Sequence, residues 1–446
     1  MVLQSTSTTS LPQTLSGGLI LRRSTAADAE KLAEFNAFIH SDTDEPDLKV
    51  AEWTRDLLRG DHPTFGVDDF TIVEDPQTGK IVSAVSLISQ TWTYAGIPIK
   101  VGRPELVGTD PNYRQRGFVR LQFNLIHEWS RQRGELVQAI TGIPYYYRQF
   151  GYEMALNLGG GRIGASYNVP PLEKDQTEPF KIRPATTGDL GLIGRLYESG
   201  GRRSLVSASW NPALWRYELS GKSRLNVNRL ELRILENPSG EAVGFLAHPP
   251  YLWRDMLALT AFELKPHTSW YDATAQVIRY IWQTGETYAK TENRTLLAFG
   301  FWLCENHPAY QIAAERLPRN RRRYAWYLRV SDLPVFLRTI APVLEERLAN
   351  SPLTGYTGDL KLGFYRSGVI LKFQAGRLIE VEPWQPVTKN FGKAAYPGLT
   401  FLQLLFGYHT QDELESFFPD CFSSDELKPV LRVLFPKHPS EVWPVQ

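Results

Sequence analysis

The chain has 446 residues, which at roughly 150 residues per domain predicts about three domains. Hydrophobic residues make up 42% and charged residues 22%, a composition typical of globular proteins with a full hydrophobic core. Lys and Arg number 49 against 48 for Asp and Glu, so the net charge of +1 predicts neither nucleic acid nor an anionic membrane as a partner.

The cysteines, the apolar runs and the histidines exclude further classes of protein. Two cysteines, Cys304 and Cys421, cannot form a disulfide framework, so we expect a reducing, cytoplasmic compartment. The longest apolar run, residues 399–408, is shorter than a membrane span requires, and the N-terminus lacks a signal-peptide pattern. The only close pair of potential metal ligands is Cys304 and His307, so no metal site is predicted.

The N-terminal part of the chain contains a tail and then a repeated segment. Residues 1–17 are predicted to be a disordered tail because Ser, Thr and Gln dominate them. Residues 21–28 are echoed 161 residues later by residues 182–189, with Arg, Thr and Asp identical at three of eight positions. In both copies an apolar strand precedes a Thr/Asp turn suited to a helix start. Unless the similarity is chance, two domains open with the same strand–turn–helix unit.

An acidic loop follows the first predicted helix. Residues 42–47 contain four carboxylates, among them Asp42, Asp44 and Glu45. Negative charge at this density would attract a cationic amine, so these three residues are predicted to bind an acceptor. An exposed polar loop without a ligand is the alternative interpretation.

A strand ending at residues 106–109 leads into a basic turn and a helix. The turn contains Arg114, Arg116 and Gly117, and an apolar stripe over residues 118–129 indicates the helix. Unpaired N–H groups and the dipole at a helix start favour an anion, and glycine allows the backbone to approach it. The pattern predicts a pyrophosphate site, with a solvated basic turn as the alternative.

The remaining segments complete the predicted organisation. Residues 166–179, rich in proline and acidic side chains, read as a linker between domains at residues 18–165 and 180–332. The basic run 319–323 is interpreted as a solvated loop or subunit contact, with anion binding as the alternative. Residues 333–446 show a strand meander followed by helices, which predicts a small α+β domain.

Beyond the turn, a buried strand at residues 136–141 is followed by Gly142, Ile143 and a run of three tyrosines, 145–147. Together with the basic turn, this order resembles the Gcn5-related N-acetyltransferase (GNAT) superfamily. The layout of the whole chain narrows the resemblance to the enhanced-intracellular-survival (Eis) family of bacterial acetyltransferases. That family implies an α+β chain of two tandem GNAT folds, each a mixed sheet flanked by helices, and a sterol-carrier-protein-like C-terminal domain. The second GNAT domain lacks the basic signature and is expected to be degenerate.

The resemblance also implies the site residues and the partners. Tyr147 would be the general acid because it lies four residues before a Gly-aromatic pair, with Tyr145 and Tyr146 as rivals, and the terminal carboxylate at Gln446 would be the base. Acetyl-CoA would be the cosubstrate, and a homo-oligomer, a hexamer by resemblance, is expected. Residues expected to bind acetyl-CoA are Val107, Gly108, Thr109, Arg114, Gln115, Arg116, Gly117, Phe118, Val119, Arg120, Gly142 and Ile143. Val119 departs from the family pattern, which has a smaller residue there.

The sequence therefore predicts an N-acetyltransferase that acts on a primary amine, such as an aminoglycoside, a polyamine or a lysine side chain. Two other classes stay open: a lipid- or sterol-binding carrier acting through the C-terminal domain, and a non-catalytic assembly protein. Resemblance of a domain's fold does not by itself confer ligand binding.

Overall fold

The structure is a computed structural model that describes residues 11–158, 160–322, 324–387 and 391–442, apart from the side chains of Leu158 and Ala325. It is organised around four β-sheets with helices packed against them. Within the described residues, no helix is both long and apolar enough to span a membrane. Both cysteines are buried as free thiols.

The first region carries the longest strands. Its strands are β1 (Gln13–Thr14), β2 (Ile20–Arg23), β3 (Phe70–Asp75), β4 (Lys80–Tyr94), β5 (Ile97–Thr109), β6 (Val137–Ile140) and β7 (Glu153–Leu158). Its helices are α1 (Ala29–Ile39), α2 (Leu48–Leu58) and α3 (Phe118–Gln132). The predicted tail reaches into this sheet: Gln13 and Thr14 pair with β2, whereas residues 1–10 lie outside the described part.

The second region again combines strands with helices, but its strands are shorter than β4 and β5 of the first region. Its strands are β8 (Arg162–Ala165), β9 (Lys181–Pro184), β10 (Val206–Ala208), β11 (Glu231–Glu236), β12 (Ala242–His248), β13 (Met256–Leu259), β14 (Ala261–Leu264), β15 (Ala298–Phe301), β16 (Arg319–Asn320) and β17 (Tyr324–Val330). Its helices are α4 (Leu190–Gly201), α5 (Pro212–Arg216), α6 (Trp270–Thr291) and α7 (Pro308–Ile312).

The third region begins with two consecutive helices, α8 (Leu333–Thr339) and α9 (Ala341–Ala349). The predicted meander follows as β18 (Gly358–Gly363), β19 (Gly368–Gln374) and β20 (Arg377–Trp384), then β21 (Ala394–Ala395), α10 (Phe401–Leu405), α11 (Gln411–Phe417), β22 (Phe422–Ser423) and α12 (Lys428–Leu434). Alternate residues Leu360, Leu362, Val369, Leu371 and Phe373 are buried, which is the period-two pattern of a sheet with one covered face.

The echo in the sequence corresponds to the same local structure in both regions. Arg22 donates two hydrogen bonds to the carboxylate of Asp28, at 2.8 and 2.7 Å, and Arg183 binds Asp189 in the same way, at 2.8 and 2.9 Å. In each copy the threonine and aspartate form a capping box at the turn before the helix. The identical residues are therefore those that fix the strand-to-helix turn.

The first two regions exchange strands. In the first sheet, the order β4-β5-β6-β17-β7 places β17, from the end of the second region, between β6 and β7. Conversely, β8 lies within residues 18–165, the range predicted for the first domain, but pairs with β15 of the second region. Because each predicted domain range supplies a strand to a sheet of the other, the two ranges depend on each other for their hydrogen-bond ladders.

Candidate active site

A cleft opens where two parallel strands diverge. β5 and β6 pair at only two positions, Val101 with Val137 and Gly102 with Gln138. β6 pairs with β17 along its other edge, and beyond Gly102 the described structure gives β5 no partner on the side that faces β6. The gap forms a cavity of about 870 Å³, large enough for a cofactor-sized ligand.

A bulge in β5 lies at the wall of this cavity. The register between β4 and β5 shifts between Ala84 and Ser86, and Leu106 takes a left-handed conformation with φ of 52°. A bulge of this kind redirects the backbone of the bulged strand. Ser83 and Ser86 hold both sides of it by donating hydrogen bonds of 2.9 Å to the carbonyls of Gly108 and Glu105.

The basic turn lies at the mouth of the cavity. Gly117 precedes α3 with φ of 79°, a conformation that favours glycine. Arg114, Arg116 and Arg120 are exposed, and none of them forms an ion pair with a described carboxylate. Their polar contacts are instead with neutral acceptors such as the Thr109 carbonyl and the Gln149 amide. Three unneutralised guanidinium groups beside a helix start favour an anionic ligand.

All twelve residues predicted to bind acetyl-CoA line this one cavity, from Val107 on β5 through the turn to Ile143 after β6. Sequence spacing alone brings together the residues of the turn, but the fold adds Gly142 and Ile143 from the opposite wall.

The acidic loop does not belong to the cavity wall. Asp42, Asp44 and Glu45 are exposed and do not line the cavity, although the loop leaves its wall directly after His40.

Tyr146 and Tyr147 both line the cavity, but Tyr147 is the most deeply buried of the three tyrosines in the run. Its side chain is 5% exposed, whereas Tyr145 is 70% exposed. Its hydroxyl would lie 3.0 Å from a Cβ at Gly142, which explains why glycine stands there with φ of 140°. Burial and the nearby Glu105 carboxylate raise the pKa of Tyr147 well above its usual value, so the hydroxyl stays protonated.

The cavity also contains an acidic residue and a histidine that were not predicted. Glu105 lies on β5 and pairs with Arg103. His40 lies at the end of α1; burial lowers its pKa, and its Nε2 atom is buried without a hydrogen-bond partner in the described structure. No motif marks either residue, and the only signal would have been their position next to predicted wall residues. Gln446, the predicted base, lies outside the described residues.

The corresponding place in the second region is closed. Between β14 and the end of β15 lies a cavity of only about 30 Å³, which holds at most a few waters. It is lined by Glu263, His307 and, from the C-terminal segment, Glu441. Lys265, the only cation at the equivalent turn, pairs with Glu241. Among the described residues no group of three or more His, Cys, Asp or Glu could hold a metal ion.

Residues 21–155 match the family model described as an acetyltransferase (GNAT) domain. No curated protein matches the sequence. Three solved structures resemble nearly the whole fold. The first, a probable N-acyltransferase from Enterococcus faecalis, has a TM-score of 0.66 at 13% identity and covers 95% of this chain and 98% of its own. A GCN5-related N-acetyltransferase from Anabaena variabilis has a TM-score of 0.64 at 12% identity, covering 95% and 99%. Eis1 from Mycobacterium abscessus has a TM-score of 0.59 at 13% identity, covering 94% and 98%.

These similarities confirm the predicted fold class. Residues 21–155 match a GNAT domain, and the chain as a whole has the α+β fold of these solved structures, with mixed sheets and flanking helices. The cavity, the bulge and the basic turn all lie within the matched residues.

Proposed function

We propose that the protein transfers the acetyl group of acetyl-CoA to a primary amine. One observation carries the proposal: the residues predicted for acetyl-CoA surround one cavity of about 870 Å³ within the GNAT domain. A lipid carrier or an assembly protein would not require three unneutralised arginines, a left-handed glycine and a buried tyrosine around the same cavity.

The residues of the mouth would bind the phosphates. Arg114, Arg116 and Arg120 supply positive charge, and the N–H groups at the start of α3 supply donors for the diphosphate. The unpaired edge of β5 at residues 107–109 would hydrogen-bond the pantetheine arm in the manner of an added strand. Val119 and Phe118 form the apolar part of the same wall.

Acetyl-CoA supplies an acetyl thioester, and the chain's own groups handle the protons. As the amine nitrogen forms its bond to the acetyl carbon, the carbon–sulfur bond breaks and a thiolate leaves. Tyr147 would donate its hydroxyl proton to that thiolate, a role suited to a phenol that burial keeps protonated. Tyr145 is exposed and Tyr146 half-buried, so they are weaker candidates for the acid.

The amine must lose a proton, because a free alkylammonium has a pKa of about 10.4. We retain the terminal carboxylate at Gln446 as the proposed base on the strength of the resemblance. His40 is the alternative that the described geometry supports, since it lines the cavity and its Nε2 atom has no hydrogen-bond partner in the described structure.

The acceptor is proposed to be cationic. Asp42, Asp44 and Glu45 continue from the cavity wall and would attract an amine toward it, and Glu105 adds a carboxylate within the cavity. Aminoglycosides, polyamines and lysine side chains share this chemistry. A sterol-carrier-like third region and a hexameric assembly remain part of the proposal through the resemblance alone.

An acetylation assay tests the proposal. The purified chain is incubated with acetyl-CoA and a panel containing an aminoglycoside, spermidine and a lysine peptide, and release of free thiol is followed. We expect turnover with at least one amine and none with the matching alcohols. Equal thiol release with and without any amine would contradict the proposal.

A further inference from the structure

A second cavity, of about 350 Å³, lies in the second region and is separate from the acetyltransferase cleft. It is bounded by the strands β8 and β16 and by the segments that follow β15. Its lining residues are Gly161, Arg162, Glu305, Tyr310, Asn320 and Arg321. The basic run noted in the sequence thus contributes two residues to a concave site.

Arg321 is held against indole rings at this cavity. Its guanidinium carbon lies 4.0 Å from the ring centroid of Trp302 and 5.2 Å from that of Trp253. The side chain is half-buried, and burial lowers its pKa. It forms no ion pair with any carboxylate in the described part of the chain. A cation–π contact holds the guanidinium group at the cavity without using its N–H donors.

Arg162 approaches the same cavity from the neighbouring strand. β8 and β16 pair Arg162 with Asn320, and the N–H of Arg321 donates to the carbonyl of Gly161 at 2.9 Å. The guanidinium carbon of Arg162 lies 4.9 Å from the ring centroid of Tyr310, and it too has no carboxylate partner among the described residues. Backbone pairing therefore holds the two residues on neighbouring segments of one cavity wall.

The rest of the lining defines what the arginines can bind. The hydroxyl of Tyr310 is already used, because it donates to the carbonyl of Phe301 at 2.7 Å and accepts from the N–H of Leu303 at 3.1 Å. Tyr310 is thus an aromatic wall. Glu305 also lines the cavity, and its negative charge disfavours a polyanion.

Neither arginine forms an ion pair within the described residues, and a half-buried guanidinium group without one is costly unless a ligand supplies the paired charge. Two guanidinium groups that line one cavity supply the N–H donors and the charge that a phosphate or carboxylate group requires. We propose that this cavity binds the oxyanion group of a small organic anion, a phosphate ester or a carboxylate, with aromatic walls packing against its carbon skeleton. The site does not depend on the acetyltransferase cleft.

Tryptophan fluorescence can test the proposal because Arg321 contacts two indoles. Inorganic phosphate is titrated into the full chain at constant ionic strength, with sodium chloride as the compensating salt. We expect a saturable change in the wild type, and binding weakened about tenfold or more in Arg321→Met because a charge-assisted hydrogen bond is lost. Arg322→Gln, an exposed neighbour on the same run that does not line the cavity, should bind as the wild type does.

Two further variants show whether the fluorescence change comes from this cavity. Arg162→Gln provides the same test if Arg321→Met does not fold, and Arg116→Glu disables only the first cleft. Loss of the signal in Arg116→Glu but not in Arg321→Met or Arg162→Gln would overturn the proposal, as would the absence of saturation in the wild type. Succinate in the same titration distinguishes the source: tighter binding than phosphate indicates a carboxylate, and weaker binding indicates a phosphate ester.

Discussion

Tyr327 accepts a hydrogen bond at 2.8 Å from the backbone N–H of Tyr145, a residue 182 positions earlier in the chain. Tyr145 has a left-handed backbone with φ of 62° and lies two residues before Tyr147. Because Tyr327 lies on β17, the strand donated by the second region fixes the loop that carries the proposed acid. The second region thus contributes to the first site.

Replacing Tyr327 with phenylalanine should lower both stability and turnover. The N–H of Tyr145 would lose its partner, at a cost of about 1 kcal/mol in the free energy of unfolding. Misplacement of Tyr147 should reduce kcat more than it changes KM for acetyl-CoA. Urea unfolding and steady-state assays measure the two effects. Tyr324→Phe, on the same strand and 41% exposed, is the control and should behave as the wild type. An unchanged kcat in Tyr327→Phe would contradict the positioning role.

Tyr147→Phe should reduce kcat by roughly 10²–10⁴-fold, the usual contribution of a general acid, because the thiolate then leaves without a proton from the protein. KM for acetyl-CoA should change little, since the ring remains packed against Phe123 and Tyr146. Steady-state kinetics with the best amine of the panel supply the measurement. Tyr145→Phe and Tyr146→Phe are matched controls, and turnover retained in Tyr147→Phe but lost in one of them would reassign the acid.

Two glycines at opposite ends of α3 form a matched pair. Gly117 and Gly134 have φ of 79° and 70°, and a Cβ on either would meet no atom within 4 Å. Each glycine-to-alanine change should therefore cost about 1 kcal/mol of stability through backbone strain alone. Only Gly117→Ala should also weaken acetyl-CoA binding, because only that turn faces the cleft. Equal Kd values for both variants would place the diphosphate elsewhere.

The closed cleft of the second region should make stability depend on pH. Burial raises the pKa of Glu441 to about 7, and the neighbouring Glu263 also titrates near 7, opposite Arg203. A carboxyl group with a raised pKa in the folded state stabilises the fold most at low pH, and this contribution is lost as the pH rises through 7. The unfolded groups ionise near 4.5.

Glu441→Gln should therefore flatten the fall in stability between pH 5 and pH 8. The full shift of Glu441 corresponds to at most about 3 kcal/mol at the upper end of this range. The free energy of unfolding in urea, measured at both pH values for wild type and variant, gives the difference. An equal pH dependence in the two proteins would show that the Glu441 carboxyl is not held in a low-dielectric site.

Local sequence patterns predicted those features of the structure that depend only on residues close together in the chain. The repeated Arg, Thr and Asp residues marked both capping boxes, and the turn from Arg114 to Arg120, which is predicted to bind acetyl-CoA, lines the cleft. The exchange of β8 and β17 was not predictable, because strand pairing between residues 137–140 and 327–330 leaves no trace in local spacing. His40 was missed for the same reason: its place in the wall depends on where α1 ends relative to β5.

The central claim is that the turn before α3 binds the diphosphate of acetyl-CoA. Isothermal titration calorimetry of acetyl-CoA into the wild type, Arg116→Glu and the control Arg202→Glu, whose exposed side chain lies on the second region, tests it most directly. We predict one binding site in the wild type and in Arg202→Glu, and no measurable binding in Arg116→Glu. Binding of equal affinity in all three proteins, or none in the wild type, would contradict the claim.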